Sequence, residues 1–190
     1  MRIIGGELKG RIIKTAKGAA IRPTSDKTRE AIFDVLQKET GDKTVLDVFA
    51  GSGALGIEAL SRGARFATFV DDSISSVTII KENIEKLGLS DRAEVFRLKV
   101  PQRLKLVKTS KIKSEKRIPR KYDLIFLDPP YNKGLITPTI EELIRLDLIA
   151  QNIIIVAEHF VHEEPGKIFD DIRLTRRKVY STTVVSFYER

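Results

Sequence analysis

The chain has 190 residues, with 34 Lys and Arg against 26 Asp and Glu, and a formal net charge of +8 at pH 7 with neutral His. It contains no cysteine, which excludes disulfides, a thiolate nucleophile and cysteine-ligated zinc. No apolar run approaches a membrane span and charges interrupt the N-terminal stretch, so we expect a single-domain cytoplasmic protein whose positive charge favours an anionic partner such as nucleic acid.

Residues 1–24 form a basic extension ahead of the core elements. The segments 2–4 and 11–13 flank glycines, and this pattern predicts a small β-hairpin. The alternative is a solvated, flexible terminus. If the extension instead binds the phosphates of a nucleic acid, the basic residues of the chain through Arg29 supply the positive charge. They are Arg2, Lys9, Arg11, Lys14, Lys17, Arg22, Lys27 and Arg29.

A helix of about residues 27–38, with Thr24 or Ser25 as its cap, leads into an apolar strand that begins at Thr44. The strand is followed by Gly51, Gly53 and Gly56 in the spacing G-x-G-x-x-G, and then by a helix over 54–60. A strand, a glycine turn and a helix N-terminus are typical of a nucleotide-binding corner. The alternatives at this point are a dinucleotide site and a purely structural turn.

Asp47 lies inside this apolar strand, where a carboxylate is costly unless something pairs with it. The ammonium group of a bound amino acid would be such a partner, whereas the pyrophosphate of NAD would repel the carboxylate. The corner therefore favours S-adenosylmethionine (SAM), a nucleoside that carries a methionine.

The second strand, over 66–70, is followed by Asp71 and Asp72. In a doubly wound sheet an acid at this place reaches the ribose hydroxyls of a bound nucleoside, although an ordinary turn residue is the alternative. An amphipathic helix over 73–87 and a third strand over 93–98 follow. The basic stretch 108–121 is predicted to be an insertion loop, either solvated or in contact with RNA.

The fourth strand, over 122–127, ends in Asp128-Pro129-Pro130-Tyr131. Two prolines stiffen the turn and remove two backbone donors, which leaves carbonyls, a carboxylate and an aromatic ring. Asp128 and the Pro129 carbonyl can accept the two hydrogens of an exocyclic amine, and the Tyr131 ring can stack on the base. The sequence therefore predicts a pocket for a nucleobase at the strand edge that also carries Gly51 and Asp71.

The remaining elements are a helix over 135–147, a fifth strand over 152–158 and an antiparallel pair over 173–180 and 183–189. We predict an α/β fold with a mostly parallel seven-stranded sheet, a C-terminal antiparallel pair and a small N-terminal hairpin. We expect no shared metal site at His159 and His162.

The motif Asp128 to Tyr131 resembles the [D/N/S]-P-P-[Y/F/W] signature of methyltransferases that act on exocyclic amines of nucleic acids. The opening segment 1–11, Arg22-Pro23-Thr24, and the segments 46–56, 58–64 and 126–131 are together similar to the bacterial RsmD family. That family methylates the N2 amine of one guanine in small-subunit (16S) rRNA. The resemblance implies a Rossmann-like class I fold, SAM as cofactor and small-subunit rRNA as partner, in a protein expected to be a monomer.

The resemblance also implies residue roles. Around the cofactor it implies Asp47, Phe49, Ala50, Gly51, Ser52, Gly53, Asp71, Asp72 and Val100. Asp128, Pro129 and Tyr131 would hold the target base, and the expected RNA contacts are Arg2, Lys9, Arg11, Arg22, Thr24, Arg29 and Pro130. One departure stands out: the family usually has an acid near the SAM adenine amine, where this chain has Leu98-Lys99-Val100, and a lysine cannot accept a hydrogen bond.

Two other functions fit the same residues. An adenine-N6 or cytosine-N4 DNA methyltransferase uses the same four-residue motif, although 190 residues leave no room for a separate DNA-reading domain. A non-catalytic RNA-binding protein on a methyltransferase fold is the second alternative, which Lys99 favours slightly and the intact glycine corner disfavours.

Overall fold

The structure is a computed structural model that describes residues 1–15, 26–109 and 121–190. Its helices are α1 Asp26–Leu36, α2 Ala54–Ser61, α3 Ile74–Leu87, α4 Lys105–Thr109 and α5 Ile136–Arg145, with 3-10 turns at Gln37–Thr40 and Ser90–Arg92. Its strands are β1 Thr44–Val48, β2 Phe66–Asp71, β3 Ala93–Arg97, β4 Tyr122–Leu127, β5 Ile149–Phe160, β6 Ile168–Phe169, β7 Ile172–Tyr180 and β8 Thr183–Glu189.

All of these strands join in one sheet of order β3-β2-β1-β4-β5-β8-β7-β6. The first five strands in the chain pair in parallel, while β8 pairs antiparallel with β5, β7 antiparallel with β8, and β6 antiparallel with β7. The central strand β1 is buried along its whole length, as an apolar strand covered on both faces must be. The predicted parallel sheet and its closing antiparallel pair are thereby confirmed.

Two hydrophobic clusters cover the two faces of this sheet. One holds apolar residues of α1, α2 and α3 together with Ile3 and Ile13 of the N-terminal segment. The other holds Val107 and the apolar side of α5. Side chains of successive strand residues divide between the clusters, for example Val45 in the first and Leu46 in the second, as the period of two requires.

The structure differs from the sequence-based expectation in three elements. The sheet has eight strands rather than seven, because Ile168–Phe169 adds a two-residue strand beside β7. Residues 105–109 form α4, which overlaps the start of the predicted insertion loop 108–121, because Leu104 and Val107 are buried against the sheet. The fifth strand starts at Ile149 and ends at Phe160, longer at both ends than expected.

The described residues of the N-terminal extension are docked on the domain rather than free. Ile3 N–H donates to Arg11 O at 2.9 Å and Ile13 N–H to Met1 O at 3.0 Å, which confirms a hairpin-like pairing with one bridge between Arg2 and Ile12. Residues 16–25 and 110–120, and with them Arg22, Thr24 and most of the basic insertion, lie outside the described residues. In the described ranges, no helix has the length and apolar character to cross a membrane.

Candidate active site

The glycine loop between β1 and α2 is held in a tight, specific conformation. Phe49, Gly51 and Gly53 all have positive φ, of 63°, 56° and 78°. Gly53 is the residue before α2, and its N–H donates to Ala50 O at 2.7 Å. A positive φ at a phenylalanine is strained, and such strain in a loop at the carboxyl end of a strand is typical of ligand sites.

Asp47 is the buried acid of this site, with 1% of its surface exposed. Its Oδ2 accepts the N–H of Gly56 at 2.9 Å, and Gly56 is the third residue of α2. A carboxylate at this place accepts a hydrogen bond from an amide in the first turn of the helix, which has no partner within the helix. Its negative charge also interacts favourably with the positive end of the helix dipole. The sequence argument that a ligand must pair with Asp47 therefore has a competing explanation, because α2 already supplies a partner.

Gly56 is required by this contact. A Cβ on Gly56 would lie 2.4 Å from Cε1 of Phe69 and 3.1 Å from Oδ2 of Asp47. The third glycine of the motif thus allows α2 to pack directly against the sheet, a structural role that the G-x-G-x-x-G spacing shares with dinucleotide-binding folds.

Asp71 and Asp72 follow β2 at the same edge. Asp71 uses both oxygens on backbone amides: Oδ2 accepts Gly51 N–H at 2.8 Å and Oδ1 accepts Ser73 N–H at 2.9 Å. It therefore ties the glycine loop to the start of α3. Each carboxylate oxygen has a second lone pair, so Asp71 can still accept the expected hydrogen bonds from a ribose. The Asp72 side chain is exposed.

Pairing of β1 with β4 brings the glycine loop and the Asp-Pro-Pro-Tyr turn together. Val48 pairs with Leu127, and the Asp128 N–H donates to Val48 O at 3.4 Å. Pro129 is buried and Pro130 is exposed, so the turn is anchored by its first proline. The predicted convergence of the two motifs at one sheet edge is present in the structure.

The three acids of this edge make it electrostatically negative. Burial raises the pKa of Asp47 well above its usual range, the Gly56 amide lowers it, and the charges of Asp128 and Asp71 raise it further. A positive charge bound among these carboxylates would lower that pKa and stabilise all three anions. The donor set therefore suits a cationic ligand, and an ammonium or sulfonium group meets that requirement.

Tyr131 is oriented by two partners that the sequence analysis did not identify. Its hydroxyl lies 3.0 Å from Oε1 of Glu158, to which it donates, and 2.9 Å from Oγ1 of Thr183. The ring also packs at 37° to that of Phe160, with centroids 5.9 Å apart. Burial raises the pKa of Tyr131 to about 12, so the hydroxyl stays protonated at neutral pH.

Glu158 is only 6% exposed although it lies near the end of an apolar strand. An acid near the carboxyl end of an apolar strand is a sequence signal for a functional residue. This signal identified Asp47 and could have identified Glu158 as a candidate site residue. Thr183 carried no comparable signal, because its contact with Tyr131 depends on β8 pairing beside β5.

Asn83 is a second residue that the sequence analysis missed. It lies on α3 with 0% exposure, and its Nδ2 donates to Ser52 O at 3.1 Å and to Lys14 O at 3.0 Å. Its Oδ1 accepts the Lys14 N–H at 2.7 Å. Asn83 therefore fastens the glycine loop to the N-terminal segment. A polar residue on the apolar side of an amphipathic helix was the available signal.

Arg29 occupies a different place from the one expected near the mouth of the site. It is 1% exposed, its Nη2 donates to Arg2 O and to Asp26 Oδ1, and its Nε lies 3.8 Å from Glu58 Oε2. Its guanidinium holds the N-terminal segment against α1 and α2 and has no surface to offer RNA. Arg2, Lys9 and Arg11 are exposed, as an RNA contact requires.

The third strand leads into the segment where the family's acid is missing. Leu98 N–H donates to Asp71 O at 2.9 Å, which places this segment beside the end of β2. Val100 is buried and Lys99 is exposed. The lysine is thus exposed to solvent, whereas Leu98 and Val100 are both buried in the second hydrophobic cluster.

The chain is similar to known proteins over nearly its whole length. The family described as "Conserved hypothetical protein 95" matches residues 1–189. The "Ribosomal RNA small subunit methyltransferase D" of Escherichia coli strain K12 is 34% identical over 191 aligned positions, covering 100% of this chain and 90% of that protein. The protein of the same description in Buchnera aphidicola subsp. Acyrthosiphon pisum strain APS is 37% identical over 156 positions, covering 82% of this chain and 76% of that protein.

Among solved structures, one described as "Putative methyltransferase yhhF from Escherichia coli" matches with a TM-score of 0.83 at 30% sequence identity. The match covers 100% of this chain and 97% of that chain. The whole sheet, including its antiparallel end, is therefore shared with that fold.

Proposed function

This chain belongs to the Conserved hypothetical protein 95 family, and from that premise we propose that it is a SAM-dependent methyltransferase of small-subunit rRNA that modifies the exocyclic N2 amine of a guanine. The observation that carries the proposal is the junction of the glycine loop and the Asp-Pro-Pro-Tyr turn through Val48 and Asp128. It supports the proposal because the glycine loop and the Asp-Pro-Pro-Tyr turn follow neighbouring strands, and methyl transfer requires the two bound molecules to lie side by side.

The residues at the edge fit SAM chemically. Asp47, Asp71 and Asp128 form a negative cluster, and SAM carries an ammonium and a sulfonium group. When bound, SAM supplies an electrophilic methyl group. The glycine loop would lie against its methionine end, and Asp71 or Asp72 would accept hydrogen bonds from its ribose.

The turn acts on the nucleophile. The amine of guanine is a poor nucleophile because its lone pair is conjugated with the ring. Hydrogen bonds from its two hydrogens to Asp128 and the Pro129 carbonyl favour the more pyramidal nitrogen of the transition state. The amine then forms a bond to the methyl carbon as the carbon–sulfur bond breaks, and the extra proton on nitrogen leaves to water.

Pro129 of this turn is buried. The target base must therefore leave its stack in the RNA to reach the turn. Tyr131 offers its ring face for stacking while Glu158 and Thr183 hold its hydroxyl. A guanine in a single-stranded loop meets this requirement at the lowest cost.

The test is transfer of labelled methyl from SAM to three substrates: small ribosomal subunits that lack the modification, their naked rRNA, and unmethylated DNA. We expect N2-methylguanine in a ribosomal substrate and none in DNA. The variant Asp128→Ala should lose methyl transfer, with a much smaller effect on the SAM dissociation constant, because Asp47 and Asp71 stay in place. Label in DNA as methylated adenine or cytosine would replace the proposal with a DNA methyltransferase, and SAM binding without transfer to any substrate would favour a non-catalytic RNA-binding protein.

A further inference from the structure

We propose that one face of β7, next to Tyr131, binds the phosphates of the RNA strand that flanks the target base. The proposal rests on the proposed function, since it names the part of the substrate that this surface holds. The residues that form the surface, here called the β7 track, are Tyr180, Lys178 and Arg176.

The register of the sheet places the β7 track on the same face as the catalytic turn. Tyr180 pairs with Thr183, Lys178 with Val185 and Arg176 with Phe187, so these alternate residues of β7 and β8 share one face. Thr183 lies 2.9 Å from the Tyr131 hydroxyl, so the track begins beside the expected base pocket. Arg176 lines a cavity together with Phe187 and Ile154, in agreement with this register, and Glu39 and Glu189 line the same cavity.

The opposite face of β7 carries Arg177, the residue between the two cations of the track. Arg177 pairs with Ser186, whose hydroxyl lies 2.9 Å from Nε2 of His159. Burial lowers the pKa of His159, and the charge of Arg177 lowers it further, as expected for a residue on that side. Neighbouring cations in one strand thus face opposite sides, and only one side leads to Tyr131.

The cations of the track are available to a ligand. Within the described ranges, no carboxylate forms an ion pair with Arg176 or Lys178, whereas Lys14, Arg62, Arg92 and Arg145 each have one. Leu174 N–H still donates to Lys167 O at 2.8 Å, and β6 pairs with no residue beyond Arg173. From Thr175 to Tyr180, β8 is the one described strand that pairs with β7, so no described strand covers the outer side of this stretch.

The spacing and chemistry of the track suit a single RNA strand. Alternate residues of a strand stand about 6.6 to 6.8 Å apart, and long cationic side chains at that interval can reach successive phosphates. The aromatic ring of Tyr180, at the end nearest Tyr131, can stack on a base beside the flipped guanine. Cations on an edge strand can also serve only to prevent aggregation. That role would be the same for a cation on either face of β7, whereas RNA binding requires the face next to Tyr131.

The experiment compares Lys178→Glu with its matched control Arg177→Glu, which makes the same charge change one residue away on the other face. Binding of the rRNA substrate is measured as a function of salt, together with KM, kcat and the SAM dissociation constant. We expect Lys178→Glu to raise the rRNA KM about tenfold and to reduce the salt slope of binding by about 0.7 for one lost phosphate contact. SAM binding should be unchanged, and Arg177→Glu should stay within about twofold of the parent.

Equal effects of the two variants, or no effect of either on rRNA binding, would overturn the proposal. If Lys178→Glu melts at a lower temperature than Arg177→Glu, its loss of binding could reflect unfolding. Lys178→Gln, which removes the charge without reversing it, then replaces it in the comparison of rRNA binding. If the parent protein binds rRNA but transfers no methyl group, the proposed function fails while the comparison of binding by the two variants still tests the track.

Discussion

At the scale of single residues, the most consequential contact is the one that orients Tyr131. Its hydroxyl donates to the buried Glu158 at 3.0 Å, and a hydrogen bond to a charged acceptor contributes about 1.5–3 kcal/mol. We predict that Glu158→Leu lowers kcat for methyl transfer about tenfold or more, because the ring can then leave the stacking orientation. Glu158→Gln keeps an acceptor and should retain more activity. Steady-state kinetics of methyl transfer provide the measurement.

Tyr131→Phe is the control for this residue, since it removes the hydroxyl and keeps the ring. It should reproduce the loss in kcat of Glu158→Leu while both variants bind SAM like the parent. Parental kcat in Glu158→Leu would show that the contact does not position the ring. Sequence reasoning predicted Tyr131 from its motif, but its partner lies on a different strand and became visible only in three dimensions.

At the scale of elements, the N-terminal segment and α2 form one buried polar interface. Glu58 accepts the N–H groups of Ile4 at 2.9 Å and Gly5 at 2.8 Å, and Ser61 Oγ accepts that of Leu8 at 3.0 Å. These bonds make the extension part of the domain. The sequence predicted its hairpin and its charge, yet it could not show that Arg29 and Glu58 are used inside the protein.

Gly6 is the closest approach in this interface, with φ of 74° and a Cβ position 1.8 Å from the carbonyl oxygen of Ser61. We predict that Gly6→Ala destabilises the protein by more than about 2 kcal/mol, since the backbone must shift as well as adopt a strained φ. Gly10→Ala is the matched control, because Gly10 has φ of 87° with only the end of the Arg2 side chain at 4.0 Å. Urea unfolding of both variants provides the measurement.

Gly10→Ala should cost about 1 kcal/mol, the strain of the left-handed backbone alone. Equal losses in the two variants would mean that the segment does not pack against α2 as described. Hydrogen exchange of the Ile3 and Ile13 amides, which donate within the hairpin, would report whether Gly6→Ala detaches the segment specifically.

At the scale of the whole molecule, the half-buried Glu94 couples stability to pH. Burial raises the pKa of Glu94 to about 7, and a hydrogen bond from Thr68 at 2.8 Å lowers it only in part. An acid whose folded pKa is raised stabilises the fold fully below its unfolded pKa. That contribution is lost as pH rises through about 7, because the unfolded chain then releases its proton more readily.

We therefore predict that Glu94→Gln is nearly neutral at pH 4, below the pKa of an unfolded Glu, and increasingly stabilising up to pH 8, since Gln keeps an acceptor for Thr68 and carries no charge. Thermal unfolding of the parent and the variant across pH 4 to 8 tests this. A difference in melting temperature that does not change over this range would contradict it. The Thr68 hydroxyl also accepts from Tyr122 at 3.0 Å, so the network should keep its geometry in the variant.

The sequence by itself determined the parallel α/β sheet, the glycine loop and the Asp-Pro-Pro-Tyr turn, because apolar periodicity, glycine spacing and paired prolines are local properties of the chain. Only the tertiary structure decided which polar residues serve the site and which serve the fold. Asp47 binds the amide of Gly56, Arg29 lies beside Glu58, and Glu158 reaches Tyr131. The physical reason is that the partner of a buried charge is chosen by strand order and helix docking, which join residues far apart in the chain.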